Sequence, residues 1–145
     1  IREPDFREQD FGDWEGRGYD EIDPAFWRDP ANNRPPGGES FAELSVRVAT
    51  AIDRHGIDRH GIDRHGQETR HRDIVVVAHA GVVRAALAHA LALPPAAALR
   101  FAVDPLSLTR LARLRRKGGA EKAWRVDDVN HRVAGRGIDP QNSNA

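Results

Sequence analysis

The chain has neither cysteine nor methionine among its 145 residues, and only 6% of its residues are aromatic. The absence of cysteine excludes a disulfide framework, a zinc–thiolate site and a cysteine nucleophile, and it fits a reducing cytoplasm. Basic residues (lysine plus arginine) and acidic residues (aspartate plus glutamate) both number 22. The net charge is therefore zero and gives no attraction to nucleic acid or to an anionic membrane. We expect a cytoplasmic protein that binds neither of them.

Long apolar runs are also missing. The longest apolar region, residues 82–99, contains Arg84, His89 and two prolines, which excludes a membrane-spanning segment there. The first residues do not have the pattern of a signal peptide. Because the chain begins at Ile1 and has no methionine, we expect that further residues of the translated protein precede it.

The length is that of one domain, which we predict over residues 1–132, with a flexible polar tail over 133–145. Its central feature is the apolar run at residues 74–78, which predicts a parallel strand buried on both faces. His79, Ala80 and Gly81 follow, and a helix is predicted from there to Leu93, because two prolines stop it.

This strand–helix arrangement places His79 at the carboxyl end of the strand, beside the free N–H groups of the helix. Ligands bind at that rim in open α/β sheets, and a helix N-terminus favours anions. A second interpretation is equally open at this point, namely that His79 merely ends a strand and caps the helix.

Elsewhere, Ser40 and Glu43 have the spacing of a capping box and predict the start of a helix. Its apolar stripe should pack on the sheet. Further predictions are a glycine-punctuated loop over 7–18, a short helix over 22–27, a turn at 35–38, a strand over 99–103, and an antiparallel hairpin formed by 106–114 and 123–126.

A five-residue unit, Ile-Asp-Arg-His-Gly, occurs three times in tandem over residues 52–66. Its period fits neither a helix nor a strand, so His55, His60 and His65 would not share a helix face. A metal cluster and a nucleic-acid patch over 52–72 are therefore disfavoured, the latter because each arginine is paired with an aspartate. We interpret the repeat as an expanded, mobile connection between helix and strand.

Four segments in register over residues 7–130 resemble the histidine phosphatase superfamily, which also contains the cofactor-dependent phosphoglycerate mutases. They are Arg7-Glu8 with residues 11–16 (FGDWEG), residues 36–40 (PGGES), His79-Ala80-Gly81 with Arg84, and residues 105–111 (PLSLTRL). Residues 124–130 are similar to the closing segment of the family. The sequences of residues 27–30 and 35–41 are most similar to those of the α-ribazole phosphatase-like branch.

The resemblance implies an α/β fold: a three-layer, phosphoglycerate mutase-like sheet with helices on both faces. It also implies a phosphomonoesterase that acts on a small phosphorylated metabolite through a phosphohistidine and needs neither cofactor nor metal. By position, Glu8 matches the general acid and His79 the second, phosphoryl-binding histidine. Gly81 and Ser40 are implied as substrate-binding residues.

The sequence departs from the family in lacking its first, central strand, which ends in Arg-His-Gly and supplies the nucleophilic histidine. Residues 64–66 have a sequence close to that motif, but they lie in a polar repeat. They also precede the predicted strand at residues 74–78, whereas the motif should follow a strand. We expect the nucleophile upstream of Ile1 and an unpaired apolar edge at residues 74–78. The alternatives are an inactive fragment or phospho-ligand binding module, and a mutase-like phosphotransferase.

Overall fold

A computed structural model describes residues 2–56, 74–114 and 123–132. Its regular elements are three helices, α1 (Phe41–Gly56), α2 (Ala80–Leu91) and α3 (Pro95–Ala98), and two strands, β1 (Ser107–Leu114) and β2 (Ala123–Arg132). Short 3-10 turns occupy Pro4–Phe6, Gly12–Trp14, Tyr19–Glu21 and Phe26–Arg28. The copies of the repeat after Gly56, the hairpin turn and the predicted tail lie outside the described residues.

Helix α1 begins where the capping box predicts. The Glu43 backbone N–H donates to Ser40 Oγ at 3.2 Å, and the Ser40 backbone N–H donates to Glu43 Oε2 at 2.8 Å. The apolar stripe of α1 is buried, with Leu44 and Val48 fully excluded from solvent. Among the described residues it packs mainly on α2, and a shared core of the two helices results. The core cluster consists of Phe41, Leu44, Val48, Val82, Ala85, Ala88 and Ala98.

The first copy of the repeat, Ile52 to Gly56, belongs to the last turns of α1. We interpreted it as part of a connection, and for this copy that interpretation is wrong. Ile52 packs against the core cluster and so continues the apolar stripe. Burial of that face outweighs the low helix propensity of a single glycine at the end.

The apolar run at residues 74–78 is not a strand in the described part of the chain, and of its residues only Ala78 packs, partly buried, against the core cluster. Val75 and Val77 are 84% and 95% exposed, and Ile74 and Val76 are each about half exposed. A strand forms only when its backbone groups find a partner, and none of the described residues pairs with this run. The prediction of a buried parallel strand is thus wrong for these residues. The prediction of an unpaired strand edge is confirmed only in the exposure of residues 74–77, because the described residues form no strand there.

Two smaller expectations are also changed. Residues 99–101 form turns that continue α3, because Arg100 N–H and Phe101 N–H donate to the carbonyls of Ala97 and Ala98. Residues 102–103 have no regular structure, so the predicted strand is wrong. The predicted short helix is replaced by two 3-10 turns on either side of Ile22. Around them, Trp14 and Trp27 pack edge-on against the buried Phe26, with ring centroids 5.3 and 5.0 Å away.

The predicted hairpin is present as an antiparallel two-stranded sheet, in which Leu111 lies opposite Val126. Strand β2 packs on α2, where the His89 ring meets Trp124 edge-on at 6.1 Å. The α/β class is therefore confirmed. Within the described residues the sheet has two strands, fewer than the phosphoglycerate mutase-like sheet that the resemblance implies. None of the described helices is long and apolar enough to cross a bilayer.

Candidate active site

The predicted acid lies at the N-terminus of α2. Glu8 Oε2 accepts a hydrogen bond from the Gly81 backbone N–H at 3.2 Å, and Glu8 Oε1 accepts one from the Gln9 N–H at 2.9 Å. The Gly81 N–H belongs to the first turn of a helix, where N–H groups have no partner within the helix. A carboxylate at this end is also favoured by the helix dipole. Residues 73 positions apart in the sequence are thus brought together.

Gly81 makes this approach possible because it has no side chain. A Cβ built on Gly81 would lie 2.2 Å from Glu8 Oε1 and 3.3 Å from the Leu44 Cδ2. No methyl group fits at the first distance while Glu8 stays in place. The glycine therefore leaves the room that the Glu8 carboxylate occupies.

His79 is the N-cap of α2, in extended conformation, with its backbone carbonyl accepting from the Val83 N–H at 3.1 Å. Its imidazole makes no capping hydrogen bond and is exposed. The simpler interpretation, that His79 merely ends a strand and caps the helix, is confirmed for the cap, which His79 forms through its backbone, whereas no strand precedes it in the described residues 74–78. The ring stands two residues before the Gly81 amide that binds Glu8, so both groups belong to one end of α2.

Ser40 is buried at the start of α1, and the hydrogen bonds of its backbone N–H and hydroxyl go to Glu43. The Ser40 backbone N–H, followed by its hydroxyl, lowers the pKa of Glu43. This is a capping role. A role for Ser40 in substrate binding stays a prediction.

Arg84, which belongs to the motif around His79, donates from Nε to the Phe101 carbonyl at 2.9 Å and so ties α2 to the segment after α3. Arg47 and Glu39 hold the loop that carries Glu8, and none of the predicted site residues is either of them. Their signal in the sequence is weak, since an arginine on the polar side of an amphipathic helix is usually solvated.

One copy of Arg-His-Gly, residues 54–56, lies in the described part of the chain. It ends a helix, whereas the nucleophile motif of the family ends a strand. His55 lies in the last turn of α1, about 22 Å along the helix axis from Ser40. Its Nε2 contacts the Glu3 carboxylate, while Arg54 pairs with Asp5 at 2.7 Å. Glu3 therefore has a lowered pKa, first through its hydrogen bond with His55 and next through the Asp5 N–H. His65 lies outside the described residues.

The sequence profile of the histidine phosphatase superfamily (branch 1) matches residues 1–127. The chain belongs to this superfamily. A glucosyl-3-phosphoglycerate phosphatase of Mycolicibacterium vanbaalenii is 35% identical over 94 residues, which are 61% of this chain and 40% of that protein. The resemblance found in the sequence is confirmed.

Solved structures of superfamily members are similar as well. A mycobacterial glucosyl-3-phosphoglycerate phosphatase in complex with inorganic phosphate has a TM-score of 0.69 at 26% identity, with 90% of this chain and 64% of that chain covered. An α-ribazole phosphatase from Shigella flexneri has a TM-score of 0.66 at 26% identity, with 92% and 61% covered. The chain thus spans less than two-thirds of these relatives.

Proposed function

We propose that this chain forms the acid-bearing part of a phosphomonoester hydrolase of the histidine phosphatase type. The observation that carries the proposal is the hydrogen bond between Glu8 and the Gly81 amide, at the helix end capped by His79. A carboxyl group, an exposed imidazole and a helix N-terminus together supply a proton donor and donors for a phosphoryl group. The phosphate bound in one superfamily structure supports an anion site in this fold.

In the proposed reaction, a histidine nitrogen forms a bond to phosphorus while the bond from phosphorus to the ester oxygen breaks. Glu8 gives its proton to the departing alkoxide. His79 and the first-turn amides of α2 other than that of Gly81, which Glu8 binds, stabilise the charge on the phosphoryl oxygens. Water then hydrolyses the phosphohistidine. We propose that the nucleophilic histidine comes from a segment upstream of Ile1, because the described Arg-His-Gly copy ends a helix.

The proposed substrate is a small phosphorylated metabolite. The relatives are named for glucosyl-3-phosphoglycerate and α-ribazole phosphate chemistry, and either compound class is a reasonable first assay. A mutase-like transfer between two positions of one substrate would use the same groups, and substrate profiling distinguishes it from hydrolysis.

A phospho-ligand binding module without turnover is the second candidate. The setting of His55 favours it, because the Arg-His-Gly around this residue ends helix α1 and its ring is engaged by Glu3. This candidate predicts phosphate binding near His79 and no phosphohistidine in mass spectra after exposure to substrate.

The proposal is tested by joining the upstream coding segment to this chain and assaying an aryl phosphate in the presence of a chelator. Glu8→Gln and His79→Ala should each lower kcat by roughly 10²- to 10⁴-fold, because each removes a group that acts on the transition state. Glu15→Gln, in the same loop, and His131→Ala, on β2, are the matched controls. Unchanged turnover in both site variants would remove the assignment.

A further inference from the structure

We propose that Arg47, paired with Glu39, is a positioning residue that holds Glu8 against the N-terminus of α2. The inference deepens the proposed function, on which its catalytic meaning rests. Arg47 lies in α1, in the turn after Leu44, and both its side chain and that of Glu39 are only 16% exposed.

The guanidinium group of Arg47 binds the main chain on the N-terminal side of the site. Its Nη1 donates to the carbonyls of Asp5 and Arg7 at 2.8 and 3.0 Å, and its Nη2 donates to the carbonyl of Glu8 at 2.9 Å. This segment has one short 3-10 turn and no strand partner among the described residues. A side chain therefore satisfies carbonyls that a sheet would otherwise satisfy.

Glu39 holds the main chain that follows the acid. Its carboxylate accepts from Arg47 Nη2 at 2.6 Å and Nε at 3.0 Å, and from the Asp10 N–H at 3.2 Å. Its backbone N–H donates to the Asp10 carbonyl at 2.8 Å, and its carbonyl accepts from Gln9 Nε2 at 2.9 Å. Glu8 is thus fixed on both sides by one ion pair.

This arrangement requires arginine and not merely a positive charge. Three carbonyls and a carboxylate accept from the planar fork of one guanidinium group, which a lysine ammonium cannot reproduce. Loss of either partner leaves the other charge half-buried and unpaired. The loop should then release Glu8 from Gly81, although neither Arg47 nor Glu39 contacts Gly81.

The test measures amide hydrogen exchange of Gly81 by NMR, because this amide is bound by the Glu8 carboxylate and not by the helix. Glu8→Ala defines the exchange rate of the free amide. We expect Arg47→Met and Arg47→Lys each to raise the exchange rate of Gly81 at least tenfold, to the Glu8→Ala value. Core amides such as that of Ala85 should keep their protection in Arg47→Lys.

Arg54→Met is the matched control, since Arg54 also binds the N-terminal segment, at Glu3 and Asp5, but stands 51% exposed. It should leave Gly81 exchange within about twofold of wild type. Wild-type exchange in Arg47→Lys, or equal loss of protection in Arg54→Met, would overturn the proposal. If Arg47→Met does not fold, the exchange rate of the Gly81 amide in Arg47→Lys tests the proposal by itself.

A second readout links the pair to chemistry. In the extended protein, Arg47→Lys and Glu8→Gln should each lower kcat, and the double variant should be no slower than Glu8→Gln, because both act through one carboxyl group. Additive losses would show that Arg47 acts elsewhere. Absence of turnover in the wild type would refute the proposed function, whereas the exchange experiment would still decide the positioning role.

Discussion

Two regions of the molecule contrast sharply. Residues 2–40 contain only short turns, yet their backbone is fixed by glycine contacts and by Arg47 and Glu39. Residues 74–77 have the most strand-like sequence in the chain, yet they lie exposed and unpaired among the described residues. Partners, and not local propensity, therefore decide which backbone is held by hydrogen bonds. The site is built where an irregular loop has partners.

The largest expected effect comes from breaking the irregular region at Gly12. This residue has a φ of +53°, and a Cβ there would lie 2.2 Å from the Pro36 carbonyl oxygen and 2.4 Å from the Gly38 nitrogen. Because backbone atoms cannot step aside, Gly12→Ala should lower the free energy of unfolding by about 3 kcal/mol or more.

Gly16→Ala is the control for that variant. Gly16 has a φ of +77° with nothing within 4 Å of a Cβ, so it should show only the left-handed backbone penalty of about 1 kcal/mol. Urea denaturation measures both values. Equal effects at Gly12 and Gly16 would show that the loop contact carries no stability.

Gly81→Ala should impair the active site without lowering the stability of the fold. The new methyl group meets the end of the flexible Glu8 side chain, which can move away, while alanine favours the helix by up to about 1 kcal/mol. We expect thermal stability near that of wild type and a loss of turnover approaching that of Glu8→Gln. A marked loss of stability would contradict this account of the glycine.

The cap of α1 should give a smaller, pH-dependent effect. The pKa of Glu43 is lowered from its ordinary value of 4.5 by the Ser40 backbone N–H and hydroxyl. The stability from this cap is therefore fully present above pH 4.5 and is lost as pH falls through the lower folded pKa. Glu43→Gln should flatten the acid limb of the melting temperature against pH. If the melting temperature falls with acid as it does in the wild type, Glu43 is not a cause of the loss of stability.

The smallest effect on stability is expected in the exposed apolar run. Val77 is 95% exposed, so Val77→Lys should change the free energy of unfolding by less than about 0.5 kcal/mol. It should also reduce association, because a charge protects a strand edge. Val48→Ala, in the core, should cost about 2 kcal/mol by comparison. Comparable losses in the two variants would contradict the exposed state of this run.

Local signals in the sequence predicted the elements whose cause is local. The capping box at Ser40 and Glu43 located the start of α1, and the small residues after His79 located the start of α2. The assignment of Glu8 and His79 to one site came from the resemblance to a family, since nothing local links the opening loop to residues about 70 positions later. The roles of Glu8, His79, Gly81 and Ser40 in catalysis and binding stay predictions.

Arg47 could not be predicted, because its acceptors lie about 40 positions earlier in the chain. The failure at residues 74–78 has a related cause. The apolar pattern of a segment indicates that it could form a strand, but the strand forms only if another segment lies beside it and pairs with it. Likewise, residues 99–101 form turns and not a strand, because α3, which is four residues long, continues into them.

The exposed valines connect the stability of this protein to mass action. A ligand that binds residues 75–77 more tightly in the folded chain than in the unfolded chain raises the melting temperature as its concentration increases. A second copy of the chain would be such a ligand if it bound along this run. A series of melting temperatures measured at different dilutions tests this, because a chain that does not associate gives the same value at every concentration.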